Sequence, residues 1–172
     1  MIEFTVRTYE GDAEVETVLQ FEHSLRSISK WESKHCVAFL GSAEKTPTQL
    51  IDYYQCMLLT PGVDPNIVVM LEPSELDDLY NYINKPQTAS SVPKEATKKF
   101  NPEVTTSELI YFMMDQLKIN WEAQDWHLSR LMILIEITGY KLQPAKKRPI
   151  VETMDDWQAI NEARQKKYKT TG

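Results

Sequence analysis

The stretch EHSLRSISKWESKHCVAFLGSAEKTPTQLIDYYQCMLL, residues 22–59, decides the fold class. Its apolar residues recur every three positions as far as Trp31, which predicts a helix with one apolar face. A short apolar segment follows and ends at Gly41. Thr46 followed by Pro47 is typical of an N-cap and the first position of a second helix. Nothing in this stretch is arranged like a catalytic site.

Two alternating runs precede that stretch. Apolar and polar residues alternate at residues 2–9 and again at residues 15–21, and Gly11 and Asp12 lie between the two runs. This pattern predicts a β-hairpin. A lone hairpin is only marginally stable in water, so we expect it to pack on the helices or to pair with another chain.

Further helices are predicted downstream. Ser74 is expected to cap one of them, and Thr105 with Glu108 fits a capping box for another. Residues 122–138 are interpreted as the longest and central helix, ended by Gly139. The residues that we expect in the core are large and apolar: Leu50, Phe112, Trp126, Leu131 and Ile135.

These elements predict an α+β protein that is predominantly helical, with an N-terminal β-hairpin, a helical domain and a C-terminal arm helix. Residues 1–140 are predicted to form the domain, with a flexible linker at about 85–101 that is rich in Pro, Ser and Lys. Residues 1–140 carry 11 basic and 21 acidic residues, a net charge of −10. Residues 141–172 carry 8 basic and 4 acidic residues, a net charge of +4, and are predicted to form the basic arm.

The charge distribution and the apolar runs exclude several classes of partner. An acidic domain would repel phosphates, so no nucleic-acid partner is predicted. The longest apolar runs, at residues 109–114 and 131–135, are too short to span a bilayer, so no membrane association is predicted. Cys36 and Cys56 lie in apolar segments and are predicted to be free and buried, with a disulfide as the alternative. No signal peptide is found, which predicts a cytoplasmic protein.

No arrangement of side chains predicts an enzyme. The chain has no CxxC or HExxH motif, so no metal site is predicted, and no glycine-rich phosphate loop, so no cofactor is predicted. Asp125, His127 and Ser129 are the residue types of a catalytic triad. On a continuous helix, however, Asp125 and Ser129 would share a face and His127 would point elsewhere. A polar helix start is therefore the preferred interpretation, and no catalytic residue is predicted.

Partner binding is the function that the aromatic residues favour. The last helix, predicted to start at Thr153, has a narrow apolar stripe of Met154, Trp157 and Ile160. A narrow stripe near a terminus usually docks on another surface, in the same chain or on a partner. Trp31 is interpreted either as a core residue or as a fourth partner-binding residue. We expect a homo-oligomer.

Several motifs resemble a known family. SKWESK at residues 29–34, DYYQCM at residues 52–57 and WHLSRLM at residues 126–132 are similar to segments of tailed-bacteriophage tail-gene proteins that are often labelled tail assembly chaperones. The similarity covers roughly residues 20–60 and 105–137. The segment 143–149 and the terminal helix have no counterpart in the family pattern.

The resemblance implies a non-catalytic function in phage tail assembly. A tail assembly chaperone is expected to bind the long, helical tape-measure protein in the host cytoplasm and to keep it soluble until tail-tube subunits assemble around it. Such a role needs an adaptable apolar surface and no active site. The alternative is a permanent virion component, such as a tail or baseplate adaptor that binds tail-tube or baseplate proteins. A third class, a small hydrolase, would require a nucleophile and a base that converge.

Overall fold

The computed structural model confirms the predicted α+β, predominantly helical fold class. The residues that the structure describes are 1–10, 13–41, 44–90, 105–142, 157, 159–164 and 167. Its elements are β1 (Ile2–Glu10), β2 (Ala13–Phe21), α1 (Leu25–His35), α2 (Pro47–Met57), α3 (Pro73–Asn84), α4 (Ser107–Gln116) and α5 (Leu128–Leu142), with 3-10 helices at Pro65–Met70 and Trp121–Asp125. The chain forms two compact units, Met1–Lys141 and Leu142–Gly172.

The predicted hairpin is present, and its register brings apolar residues of the two strands opposite each other. β1 and β2 pair antiparallel, with Phe4 opposite Leu19 and Ile2 opposite Phe21. Directly opposed residues share one face of a sheet, so the apolar members of both strands lie together. Leu19 and Phe21 are fully buried and belong to the same core as the helices. The hairpin therefore gains its stability by packing on the helices.

The predicted start of α2 is also confirmed. Thr46 caps the helix by accepting a hydrogen bond from Gln49 N, and Pro47 is its first residue. The helix α1 packs against α2 through Trp31, whose Nε1 donates to the backbone oxygen of Gln49 at 2.9 Å. The Trp31 side chain is 1% exposed. Its interpretation as a core residue is correct, and this burial leaves it no surface for a partner.

Glu32 joins three segments of the chain from the buried side of α1. Its Oε1 accepts a hydrogen bond from Phe39 N at 2.7 Å, and its Oε2 accepts one from Ser107 N at 2.8 Å. The side chain is buried. Hydrogen bonds from a backbone N–H to a carboxylate are stronger than those between neutral groups. The two bonds therefore hold the loop after α1 and the first residue of α4 in place.

Two predicted helix starts are displaced. The cap of α3 is Glu72, so Ser74 lies inside the helix, because Pro73 already occupies its first position. The cap of α4 is Thr106, one residue after the predicted Thr105.

The helix predicted at 122–138 is divided in two by a break at Trp126. Residues Trp121–Asp125 form a 3-10 helix, and α5 begins only at Leu128. At the break, His127 forms a bridge with Ser24, and Leu128 N donates to the oxygen of His23 at 2.7 Å. Gly139, the predicted end, lies within α5. The α5 helix remains the longest helix of the described residues.

Three of the five predicted core residues are placed differently. Leu131 and Ile135 are buried, as predicted, and Leu50 is only partly buried. Trp126 and Phe112 are exposed by 40% and 59%, so their prediction as core residues is wrong. The break in the helix moves Trp126 to the surface, and Phe112 lies on the outer side of α4. The cysteines are free, but Cys36 is exposed rather than buried, and Cys56 is partly buried.

Candidate functional site

The link between β2 and α1 places a group of polar residues inside the protein. Glu22, His23 and Ser24 are all buried. On one side, Glu22 N donates to the oxygen of Met57, at the end of α2, at 3.1 Å. On the other side lies the bridge from Ser24 to His127. Because the link is hydrogen-bonded on both sides, its side chains have fixed positions between α2 and α5.

His23 is the most deeply perturbed ionisable group of this link. Burial, together with the neighbouring His127 imidazole, lowers the pKa of His23 from 6.5 to about 3. The two rings lie 5.1 Å apart. His23 Nδ1 is hydrogen-bonded to the hydroxyl of Tyr53, whose pKa is raised by burial. At neutral pH the site therefore contains an uncharged imidazole and a protonated phenol.

The His127 ring contacts Ser129, which differs from the sequence-based expectation. The ring Nε2 lies 3.3 Å from the backbone oxygen of Tyr82, which can only accept a hydrogen bond. Burial lowers the pKa of His127, so the ring is neutral at pH 7 and Nε2 carries its proton. Nδ1 is then an acceptor, at 2.8 Å from Ser129 Oγ.

These residues do not form a catalytic triad. The Asp125 carboxylate accepts two hydrogen bonds from Arg26, at 2.6 and 2.9 Å, whereas the His127 ring is hydrogen-bonded to Ser129 and to the backbone oxygen of Tyr82. The backbone N–H of Ser129 also points to His127 Nδ1, at 3.3 Å. This is the geometry of a residue that caps the start of a helix, because the first N–H groups of α5 have no acceptor within the helix. The contact between His127 and Ser129 is accounted for by capping.

A pocket of about 750 Å³ opens beside the two histidines. His23, His127 and Ser129 form its polar end. Its other walls are mainly apolar and come from α2, α3, α5 and the loop after α1: Phe39, Leu40, Leu50, Tyr80, Ile83, Leu128 and Met132. Burial lowers the pKa of Lys45, which lies at this pocket with its Nζ 4.6 Å from the centre of the Phe39 ring. A pocket with these walls suits an apolar side chain better than a charged substrate.

A second group of aromatic residues lies on α4 and on the 3-10 helix that follows it: Tyr111, Phe112 and Trp121. The rings of Tyr111 and Trp121 are stacked with their centres 5.4 Å apart, and the Tyr111 hydroxyl donates to Gln124 Oε1 at 3.1 Å. Phe112 and Trp121 are 59% and 51% exposed, and Tyr111 is partly buried. Rigid, exposed aromatic side chains are enriched in the energetic centres of protein interfaces. We call this group the aromatic surface.

The predicted partner-binding residues lie in different parts of the chain. Trp157 and Ile160 are exposed residues of a helical segment in the unit Leu142–Gly172. Met154 lies outside the described residues, as does the predicted start of that helix at Thr153. Trp31 is in the core of the other unit. Sequence reasoning missed the aromatic surface, because the stacking of Tyr111 on Trp121 depends on the turn between α4 and the 3-10 helix. It also missed the role of His23, because this residue lies between two elements, where hydrophobic periodicity gives no indication of burial.

Within the residues that the structure describes, no three His, Cys, Asp or Glu side chains are close enough together to hold a metal ion. No helix in that part of the chain is both long enough and apolar enough to cross a membrane. Comparison of the chain with protein-family models, with curated proteins and with solved structures gives no match.

Proposed function

We propose that this protein is a non-catalytic tail assembly protein of a tailed bacteriophage, a chaperone that binds the tape-measure protein in the host cytoplasm. The aromatic surface is the proposed contact. A tape-measure protein is long and helical, and before assembly its apolar faces must be shielded from water by a binding partner. A surface of rigid aromatic rings can cover one face of a helix at little cost in conformational entropy.

Two of the three motifs that carry the family resemblance are linked in the structure by a chain of ring contacts. Trp31 of SKWESK packs edge-on against Phe39, with ring centres 5.2 Å apart. The ring centres of Phe39 and His23 are 6.3 Å apart. His23 in turn contacts His127 of WHLSRLM. Segments that are nearly a hundred residues apart thus contribute to one aromatic centre. This arrangement supports a structural role for the two motifs in the core; the proposal itself rests on the sequence resemblance.

The non-catalytic part of the proposal is supported by the hydrogen bonds of Asp125 to Arg26 and of the His127 Nε2 to the backbone oxygen of Tyr82, the position that an orienting carboxylate would take in a triad. It can be tested with a fluorophosphonate probe, which labels activated serines. We expect no labelling of Ser129 at neutral pH. Labelling that disappears in Ser129→Ala and in His127→Gln, while both variants remain folded, would instead establish a hydrolase.

Coexpression with the tape-measure protein of the same phage tests the chaperone role. The fraction of soluble tape-measure protein, and its copurification with this chain, should both rise when the parent protein is present. Phe112→Ala combined with Trp121→Ala should remove most of this effect. Tyr140→Ala, which truncates an exposed aromatic residue of α5, is the matched control and should behave as the parent.

If the tape-measure protein stays equally insoluble with and without the parent chain, the chaperone role is wrong. The alternative, a permanent tail or baseplate component, is tested by mass spectrometry of purified virions. Stoichiometric presence of this chain in intact particles would favour the virion component, and its absence from them would favour the chaperone.

A further inference from the structure

The helical segment of the unit Leu142–Gly172 has one apolar and basic face. Trp157, Ile160 and Arg164 are separated by three and four residues, so they lie along one side of the helix. Glu162 lies on the opposite side. Trp157 is 62% exposed, and Ile160 is also exposed. We call this side, formed by Trp157, Ile160 and Arg164, the arm face.

The outer side of α3 has the complementary character. Residues 72–84 include four acidic residues and no basic residue. Asp77, Asp78 and Tyr80 are exposed on the outside of this helix, and we call them the acidic face. Tyr80 also lines the 750 Å³ pocket, so the acidic face continues directly into an apolar cavity.

We propose that the arm face of one copy of this protein docks on the acidic face and pocket of a second copy. Trp157 enters the pocket, between Leu40, Tyr80 and Met132, and Arg164 pairs with Asp77 or Asp78. The charges favour this occupant, because residues 141–172 carry +4 and residues 1–140 carry −10. This self-association is separate from the proposed binding of a tape-measure protein, which uses the aromatic surface.

The dimensions of the two faces agree. Seven residues separate Trp157 from Arg164, which corresponds to about 10 Å along a helix. On the other copy, Tyr80 at the pocket is one helical turn, about 5 Å, from Asp77. The Asp and Arg side chains span the remaining distance. A single docked helix can therefore place its indole in the pocket and its guanidinium over the acidic face at the same time.

Sedimentation equilibrium of the full chain tests the proposal. We expect concentration-dependent association that weakens as salt is raised, because exposed charge pairs are screened. Trp157→Ser should weaken the association constant about tenfold or more, since a buried Trp is a typical interface anchor. Asp77→Lys combined with Asp78→Lys should have an effect of the same sign. Glu14→Lys combined with Glu16→Lys, on the hairpin, changes the charge equally at another place and should have little effect.

A mixing experiment distinguishes docking between copies from docking within one chain. The Trp157→Ser chain retains its acidic face, and the doubly substituted Asp77 and Asp78 chain retains its arm face. Each chain alone should be monomeric, and the mixture should form heterodimers through the one intact pair of faces. Circular dichroism verifies that both chains are folded. A parent that is monomeric at all concentrations, association that these substitutions leave unchanged, or a mixture that stays monomeric would overturn the proposal.

Discussion

The α1 and α4 helices carry the same kind of large aromatic residue, and the structure places them in opposite environments. Trp31 of α1 is enclosed, with an indole hydrogen bond to the chain at Gln49. Phe112 of α4 faces outward, and Trp121 beyond it is exposed. Both helices have apolar residues at helical spacing. The difference is that α2, α4, the 3-10 helix Trp121–Asp125 and the loop held by Glu32 pack on α1, whereas no described segment covers the outer side of α4.

Truncation of an aromatic residue in each helix should separate the two environments most clearly. Trp31→Ala should lower the free energy of unfolding by about 3–5 kcal/mol, because it leaves a cavity in the core. Phe112→Ala should lower it by less than about 1 kcal/mol, since most of that ring is already in water. Urea denaturation of the two variants measures both values. Equal losses would mean that a partner or a further segment covers Phe112 in solution.

The contrast also shows which features of the fold could be predicted from the sequence. The hairpin was predictable because alternation reports directly which face of a strand is buried. The cap at Thr46 was predictable because Thr-Pro has a specific backbone geometry. The break at Trp126 was not, because it depends on the bridge between Ser24 and His127, which are about a hundred positions apart. Without that bridge, 122–138 has the pattern of one continuous helix.

The candidate site was less predictable than the fold. The aromatic surface depends on the stacking of Tyr111 on Trp121 across a turn, and the pocket collects residues from four elements. The sequence did identify Trp157 and Ile160 as a narrow stripe, because both lie on one helix with regular spacing. Their role in partner binding stays a prediction.

The next largest effect is expected at Glu32, whose hydrogen bonds hold the loop after α1 and the start of α4 against α1. Glu32→Ala leaves the buried N–H groups of Phe39 and Ser107 without acceptors, at a cost of about 1–3 kcal/mol for each group. Glu32→Gln retains one oxygen acceptor and should lose about half as much. Glu108→Ala, at an exposed position of α4, is the control and should cost little. If Glu32→Ala unfolds at the parent's urea midpoint, the two hydrogen bonds do not stabilise the packing of the loop and of α4 on α1.

The smallest effect concerns pH and arises from His23 in the buried region. The pKa of His23 is about 3 in the folded protein and 6.5 in the unfolded chain. Between these values the unfolded state binds a proton that the folded state does not, so stability falls as the pH is lowered from 6.5 towards 3. At pH 5.5 the loss from this one group, relative to pH 7.5, is on the order of 1 kcal/mol.

Most carboxylates remain ionised above pH 5.5, so histidines dominate the pH dependence in this range. The pKa of His127 is also lowered by burial, and comparison with a variant that lacks His23 separates the two contributions. His23→Gln removes the titrating group and keeps a polar side chain beside Tyr53. Its free energy of unfolding should therefore change less between pH 7.5 and 5.5 than that of the parent, whatever its absolute stability. Phe112→Ala, from the exposed side of α4, is the control. The pH dependence of its free energy of unfolding should match that of the parent, since it leaves His23 and its neighbours in place.

The same pH dependence for the parent and His23→Gln would mean that His23 is accessible to protons in the folded protein. The region around α1 would then be more open than the contacts of Trp31 and Glu32 indicate.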